Sequence, residues 1–231
     1  MLHRFYHWVI ICVCVFVLCD STKTLGTQQG SREVSALNER TVLDQLRLVS
    51  ESFDKGVRLY YLADCQPVTD ANIDSPVPFP HIDVQPPSQG ASGVVAIREI
   101  FQNDRNVSIT EDESAVRIWI GKVPTSLLQT KLPRFILPPM ARYNHTVAVE
   151  TLKNAKETKA AARFLGLGLV SGTGGLVAQP QQGLPHLPAI MQNVKLDQVL
   201  DMIAKTFHDP VVYGACEQPT GTEHKKSVWI D

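Results

Sequence analysis

"LDQLRLVSESFDKGVRLYYLADCQP" runs from Leu43 to Pro67, and "LDQVLDMIAKTFHDPVVYGACEQP" from Leu196 to Pro219. The two stretches share one rhythm. In the first, Val42, Leu46, Val49 and Phe53 fall on one helical face, and Thr41 followed by Asp44 reads as a helix start. In the second, Leu196, Val199, Leu200, Ile203 and Phe207 keep the spacing i, i+3, i+4, i+7, i+11, with Asn193 as the expected N-cap. Each then changes period. Val57, Leu59 and Tyr61 alternate with Arg58 and Tyr60, and "PVVYGA" reads as a strand that "KSVWID" follows as a second.

A third passage has the same grammar. Ser92 can cap a helix over Gly93–Gln102 with Val94, Ile97 and Phe101 on one side. "NVSIT", the turn "EDES" and "AVRIWIG" then predict a hairpin with one buried face. Phe53, Phe101 and Phe207 mark the helix ends, and Trp119-Ile120 and Trp229-Ile230 close two of the hairpins. The fold class this predicts is α+β: repeated helix–strand–strand units packed as small helix-on-sheet modules, with long Pro/Gly-rich loops. Residues 35–122 would hold two such units and 191–231 the third. Residues 123–146 read as a Pro-rich connector, 147–165 as one helix ending at Gly166, and 166–190 as a flexible Gly/Pro-rich loop. The proline-rich stretch after Cys65 leaves room for a short edge strand at His81–Val84.

"MLHRFYHWVIICVCVFVLCDSTKT" opens the chain. Trp8 to Cys19 is continuously apolar, shorter than the ~20 residues of a membrane-spanning helix and matched to the core of a secretory signal. Residues 1–19 are therefore expected to be a signal peptide or N-terminal anchor, and 20–34 a spacer. Cleavage, lipidation at Cys19 and retention all fit, so membrane contact is expected only through this segment. Export leaves Cys65 and Cys216 as the cysteines of the mature chain. A disulfide between them would close a loop of about 150 residues, worth about 4–5 kcal/mol in the chain-entropy account; two buried thiols are the alternative.

With 22 basic and 23 acidic residues the formal net charge is −1, and no basic run occurs, so nucleic acid is excluded as a partner. "GLGLVSGTGG" lacks the Lys-Ser/Thr of a phosphate loop, and Leu169 occupies the first glycine's place in a Gly-x-Ser-x-Gly elbow around Ser171. The histidines are scattered singly, without metal-ligand spacing. No catalytic, metal or cofactor residue is assigned. Alternation puts Arg117 and Trp119 together on the face opposite Val116, Ile118 and Ile120. There they form either a contact for a partner chain or a surface covered by another element of this chain. "NVS" at Asn106 and "NHT" at Asn144 are glycosylation sequons in a eukaryotic secretory route.

"LDQVLDMIAKTFHDPVVY" and "AIREIFQNDRNVSITEDESAVRIWIG" together resemble the short N-terminal domain of secretins and TonB-dependent receptors, where a leucine-spaced helix precedes small strands. The resemblance implies a non-enzymatic contact module of the bacterial envelope that binds another envelope protein. Nothing after these units resembles the barrel or ring of the full-length proteins. The competing expectation is a small exported hydrolase or ligand-binding protein using residues 166–188 as a lid.

Overall fold

The computed structural model describes residues 38–64, 79–170, 183–220 and 223–231. The N-terminal apolar run, Cys65 and the glycine-rich core of the 166–188 segment lie outside them. Among the described residues no helix is long and apolar enough to cross a membrane.

The chain is α+β. Strand β1 (Gly56–Asp64) is the spine of a six-stranded mixed sheet. Hairpin β2 (Val107–Glu111) and β3 (Ala115–Ile120) adds to one side of it, and hairpin β7 (Val211–Thr220) and β8 (Glu223–Ile230) to the other. Strand β5 (Leu167–Val170) closes the far edge, giving the order β2-β3-β1-β7-β8-β5. β1 is parallel to both β3 and β7, while each hairpin is antiparallel within itself. A strand flanked in parallel on both sides is covered on both faces, and its sequence becomes apolar throughout instead of alternating. Thus Val57, Leu59 and Tyr61 enter one core and Tyr60 the other, and even Arg58 is fully buried. The alternation of Val57, Leu59 and Tyr61 with Arg58 and Tyr60 therefore separates two buried faces.

The sequence echo has a spatial counterpart. One and the same offset relates Leu43 to Leu196, Arg58 to Val211 and Tyr60 to Tyr213, and the last two pairs are direct neighbours across β1 and β7. Next to them Tyr61 pairs with Gly214, where a Cβ would lie 2.5 Å from the Tyr61 ring. The large residue of one stretch fills the space that glycine leaves in the other.

The helices of the two stretches lie on opposite faces. Helix α1 (residues 38–50) sends Val42, Leu46 and Val49 into the core that also takes α2 (Gly93–Ile100), Phe79 and Ile82. Helix α6 (Leu196–Phe207) sends Leu196, Val199, Leu200 and Ile203 into the other core. Hairpins follow α2 and α6, as expected. After α1 the described residues give the single strand β1. Phe101 and Phe207 do sit at helix ends, whereas Phe53 lies three residues past α1.

Several expected loops are structured. The connector 123–146 contains a 3-10 turn (Ser126–Gln129) that buries Leu127 and Leu128, strand β4 (Lys131–Ile136) and the short helix α3 (Pro139–Arg142). Its prolines fit these roles: Pro133 sits in a two-stranded sheet where a missing N–H is tolerated, and Pro139 opens α3. β4 pairs with β6 (Ile190–Lys195). Asn193 lies within β6 in a left-handed conformation (φ 52°), so it does not cap α6. Lys195 takes that position, its backbone N–H donating to Gln198 Oε1 at 2.8 Å. The single helix expected over 147–165 is two, α4 (His145–Asn154) and α5 (Lys156–Phe164), separated by extended Ala155 (ψ 142°). At the start of the expected loop, residues 167–170 form β5. At its end Leu187 is buried, exchanging hydrogen bonds with Arg142. Residues 81–84, the expected edge strand, form no strand.

Candidate functional site

The strongest polar constellation lies where α6 crosses the N-terminal ends of β1 and β3. Arg58 on β1 and Arg117 on β3 are register partners, so two guanidinium groups stand side by side. Helix α6 brings Asp197 and Asp201, one turn apart, over them. Close approach is possible because residue 56 is glycine: a Cβ there would lie 2.9 Å from the Asp201 carbonyl oxygen. Arg58 Nη1 donates to Asp201 Oδ1 at 2.7 Å and to the Asp197 carbonyl at 3.1 Å. Asp201 Oδ2 accepts from Arg117 and from the Ser114 hydroxyl. Tyr60 donates its hydroxyl proton to Asp197 Oδ1 at 3.0 Å and lies under the Arg58 guanidinium.

Burial pushes the Asp201 carboxyl up, and the charges of Arg58 and Arg117 pull it back. Partial desolvation acts the same way on Asp112. There the backbone N–H groups of Ser114 and Ala115, the Ser114 hydroxyl and Arg117 prevail and hold the carboxyl well below its usual range. Burial lifts the Tyr60 hydroxyl far above its ordinary value. The chemistry this permits is narrow. Both oxygens of Asp201 already accept hydrogen bonds, the Arg58 side chain is 0% exposed, and that of Asp201 is 6% exposed. A general base or nucleophile needs an open lone pair and a route to it. These charges instead fasten α6 to the sheet.

The sequence-derived contact pair borders this cluster. Arg117 and Trp119 do share the face opposite Ile118, as alternation requires. Arg117 turns to Asp112 and Asp201 and is 13% exposed. Trp119 stacks on Tyr60 with ring centroids 4.0 Å apart, stays half-buried, and donates its indole N–H to exposed Thr110 at 3.0 Å. Ser108 and Thr110 stand beside the pair on the outer strand β2, both exposed. Cys216 sits on β7 with Ala63 of β1 as its register partner, and Cys65 lies outside the described residues.

Sequence reasoning missed Arg58, Asp197 and Asp201. A signal was present: an arginine within an otherwise apolar strand needs a counter-charge, and Asp201 interrupts the apolar stripe of α6.

A second polar group lies around α1. Arg47 donates to Asp209 at 2.8 Å, and His145 Nδ1 lies 4.0 Å from the same carboxylate, with burial pushing its imidazole down. Burial first, then the neighbouring Asp231, pushes the Glu39 carboxyl up to about 7. Between β4 and the α4–α5 pair runs an open groove of about 530 Å³ flanked by Arg134, Glu150 and Lys156. Among the described residues no three His, Cys, Asp or Glu side chains are grouped to hold a metal ion. Comparison of the chain with protein-family models, with curated proteins and with solved structures returned no match.

Proposed function

We propose that this chain is an exported, non-enzymatic interaction module that meets a partner protein through the face of the β2–β3 hairpin, with Trp119 as anchor. The observation that carries the reading is the state of Trp119. Its ring is stacked on Tyr60, yet part of it remains open to solvent beside exposed Ser108 and Thr110. A rigid, partly exposed aromatic loses little freedom on binding and supplies a large contact area. The adjoining ion cluster holds the anchor in place, because Tyr60, the platform under Trp119, is tied to Asp197 on α6. The resemblance to the secretin and TonB-receptor domain supports a contact role, and the apolar N-terminal run supports export. A Cys65–Cys216 disulfide belongs to the same reading, joining the end of β1 to β7 in an oxidising compartment.

Partner capture by the wild-type chain and by Trp119→Ala, at a temperature where both are shown to be fully folded, tests this reading. Loss of a defined partner only in the variant is expected; undiminished capture by Trp119→Ala contradicts it. Non-reducing and reducing gels of the exported chain should differ in mobility; equal mobility contradicts the disulfide.

A further inference from the structure

The motif alone does not choose between the two sequons, but the structure does. Asn106 is exposed in the turn before β2, and its side chain has no partner among the described residues. The turn is held without that side chain: Asp104 Oδ1 accepts the Asn106 backbone N–H at 2.8 Å, and the Asn106 carbonyl accepts from Gly121 at 3.4 Å. Ser108, the hydroxyl residue of the sequon, is also exposed. Asn144 differs on each count. It is half-buried and caps α4, its Oδ1 accepting the Val147 N–H at 3.0 Å, and Thr146 lies within the first helical turn. A bulky hydrophilic substituent on that amide would compete with the cap and with the packing of Val147 against the core.

We propose that Asn106 carries an N-linked oligosaccharide and that Asn144 does not. The inference rests on the export half of the proposed function, in a secretory route that contains an oligosaccharide transferase. The donor class is an isoprenoid diphosphate-linked oligosaccharide. The Asn106 Nδ2 forms the C–N bond to the sugar's anomeric carbon as the C–O bond to the diphosphate breaks. The diphosphate leaves with that electron pair, one Nδ2 proton is lost, and nothing is oxidised or reduced. A glycan there would stand at the start of the outer strand β2 and shield its unpaired edge from association with other strands.

The test expresses the full chain in eukaryotic secretory cells, once with its own N-terminus and once with a heterologous signal sequence placed ahead of it. Peptide-N-glycosidase treatment is then followed by gel mobility and mass. One removable adduct is expected, lost in Asn106→Gln and in Ser108→Ala and kept in Asn144→Gln. An adduct on Asn144, alone or alongside Asn106, overturns the assignment, as does the absence of any adduct in the version with the added signal. An Asn106 adduct seen only with the added signal upholds the acceptor assignment while contradicting export by the chain's own N-terminus.

Discussion

The two faces of the sheet are built from similar phrases and do different work. On one, α1 covers β1 with Val42, Leu46 and Val49, and its Glu39 carboxyl is pushed toward the neutral form by burial. On the other, α6 covers β1 with an apolar stripe broken by Asp201. The residue equivalent to Asp201 in the echo is Leu48, which is 63% exposed; the equivalent of Asp197 is Asp44, which engages Arg40 and Arg47 at the surface. The buried stripe of α6 is shifted by about one residue, roughly 100°, relative to that of α1. That rotation turns an exposed position into the one that meets Arg58. The same apolar rhythm closes both cores, and the shift of the stripe together with Asp201 decides which face carries the buried ion cluster.

Breaking the cluster should have the largest effect. Arg58→Met leaves Asp201 with one guanidinium in a buried site and is expected to cost about 3–5 kcal/mol, measured by denaturant unfolding. A loss under about 1 kcal/mol would mean the face is held by apolar packing alone.

Gly214→Ala probes the joint between the echoed strands. The added Cβ would meet the buried Tyr61 ring, so a loss of about 1–3 kcal/mol is expected from overpacking. An unchanged melting temperature would show that Tyr61 can swing aside.

The apolar face holds its own titration. Glu39 is raised to about 7 from 4.5, so between those values the unfolded chain gives up a proton that the folded chain keeps. That group's contribution is fully present below pH 4.5 and is lost as pH rises toward 7. His145, pushed down by burial, has the opposite slope below 6.5, so the informative quantity is a difference. Relative to wild type, Glu39→Gln should gain stability progressively from pH 4.5 to 7. A constant difference across that range would remove Glu39 from the account.

The smallest contribution is the stack of Trp119 on Tyr60, expected to be worth about 1 kcal/mol of the total loss in Trp119→Ala, the remainder being lost area. No change in unfolding would mean the ring is not fixed there.

Much of this architecture was legible. Helices α2 and α6 and both hairpins follow from spacing alone, because each buries one stripe or one face. The rest depended on partners distant in the chain. β4 forms because β6 pairs with it, across a span in which Pro133 and Pro138 argue locally for a loop. The break at Ala155 has neither glycine nor proline to announce it. Coverage of β1 on both faces required knowing that β3 and β7 flank it in parallel. Trp119 and Arg117 share the face opposite Ile118 as alternation requires, but that face packs against the core under α6. That Arg117 turns inward followed only once α6, far along the chain, was known to bring Asp201.

The central claim is that Arg58 and Asp201 form a fastening between helix and sheet. A double-mutant cycle with Arg58→Met, Asp201→Leu and both together, followed by urea unfolding, measures it directly. Each single change should destabilise by about 3–5 kcal/mol, with the double variant recovering a large part of that loss, since no unpaired charge then remains at the pair. Single losses that simply add in the double variant would contradict it.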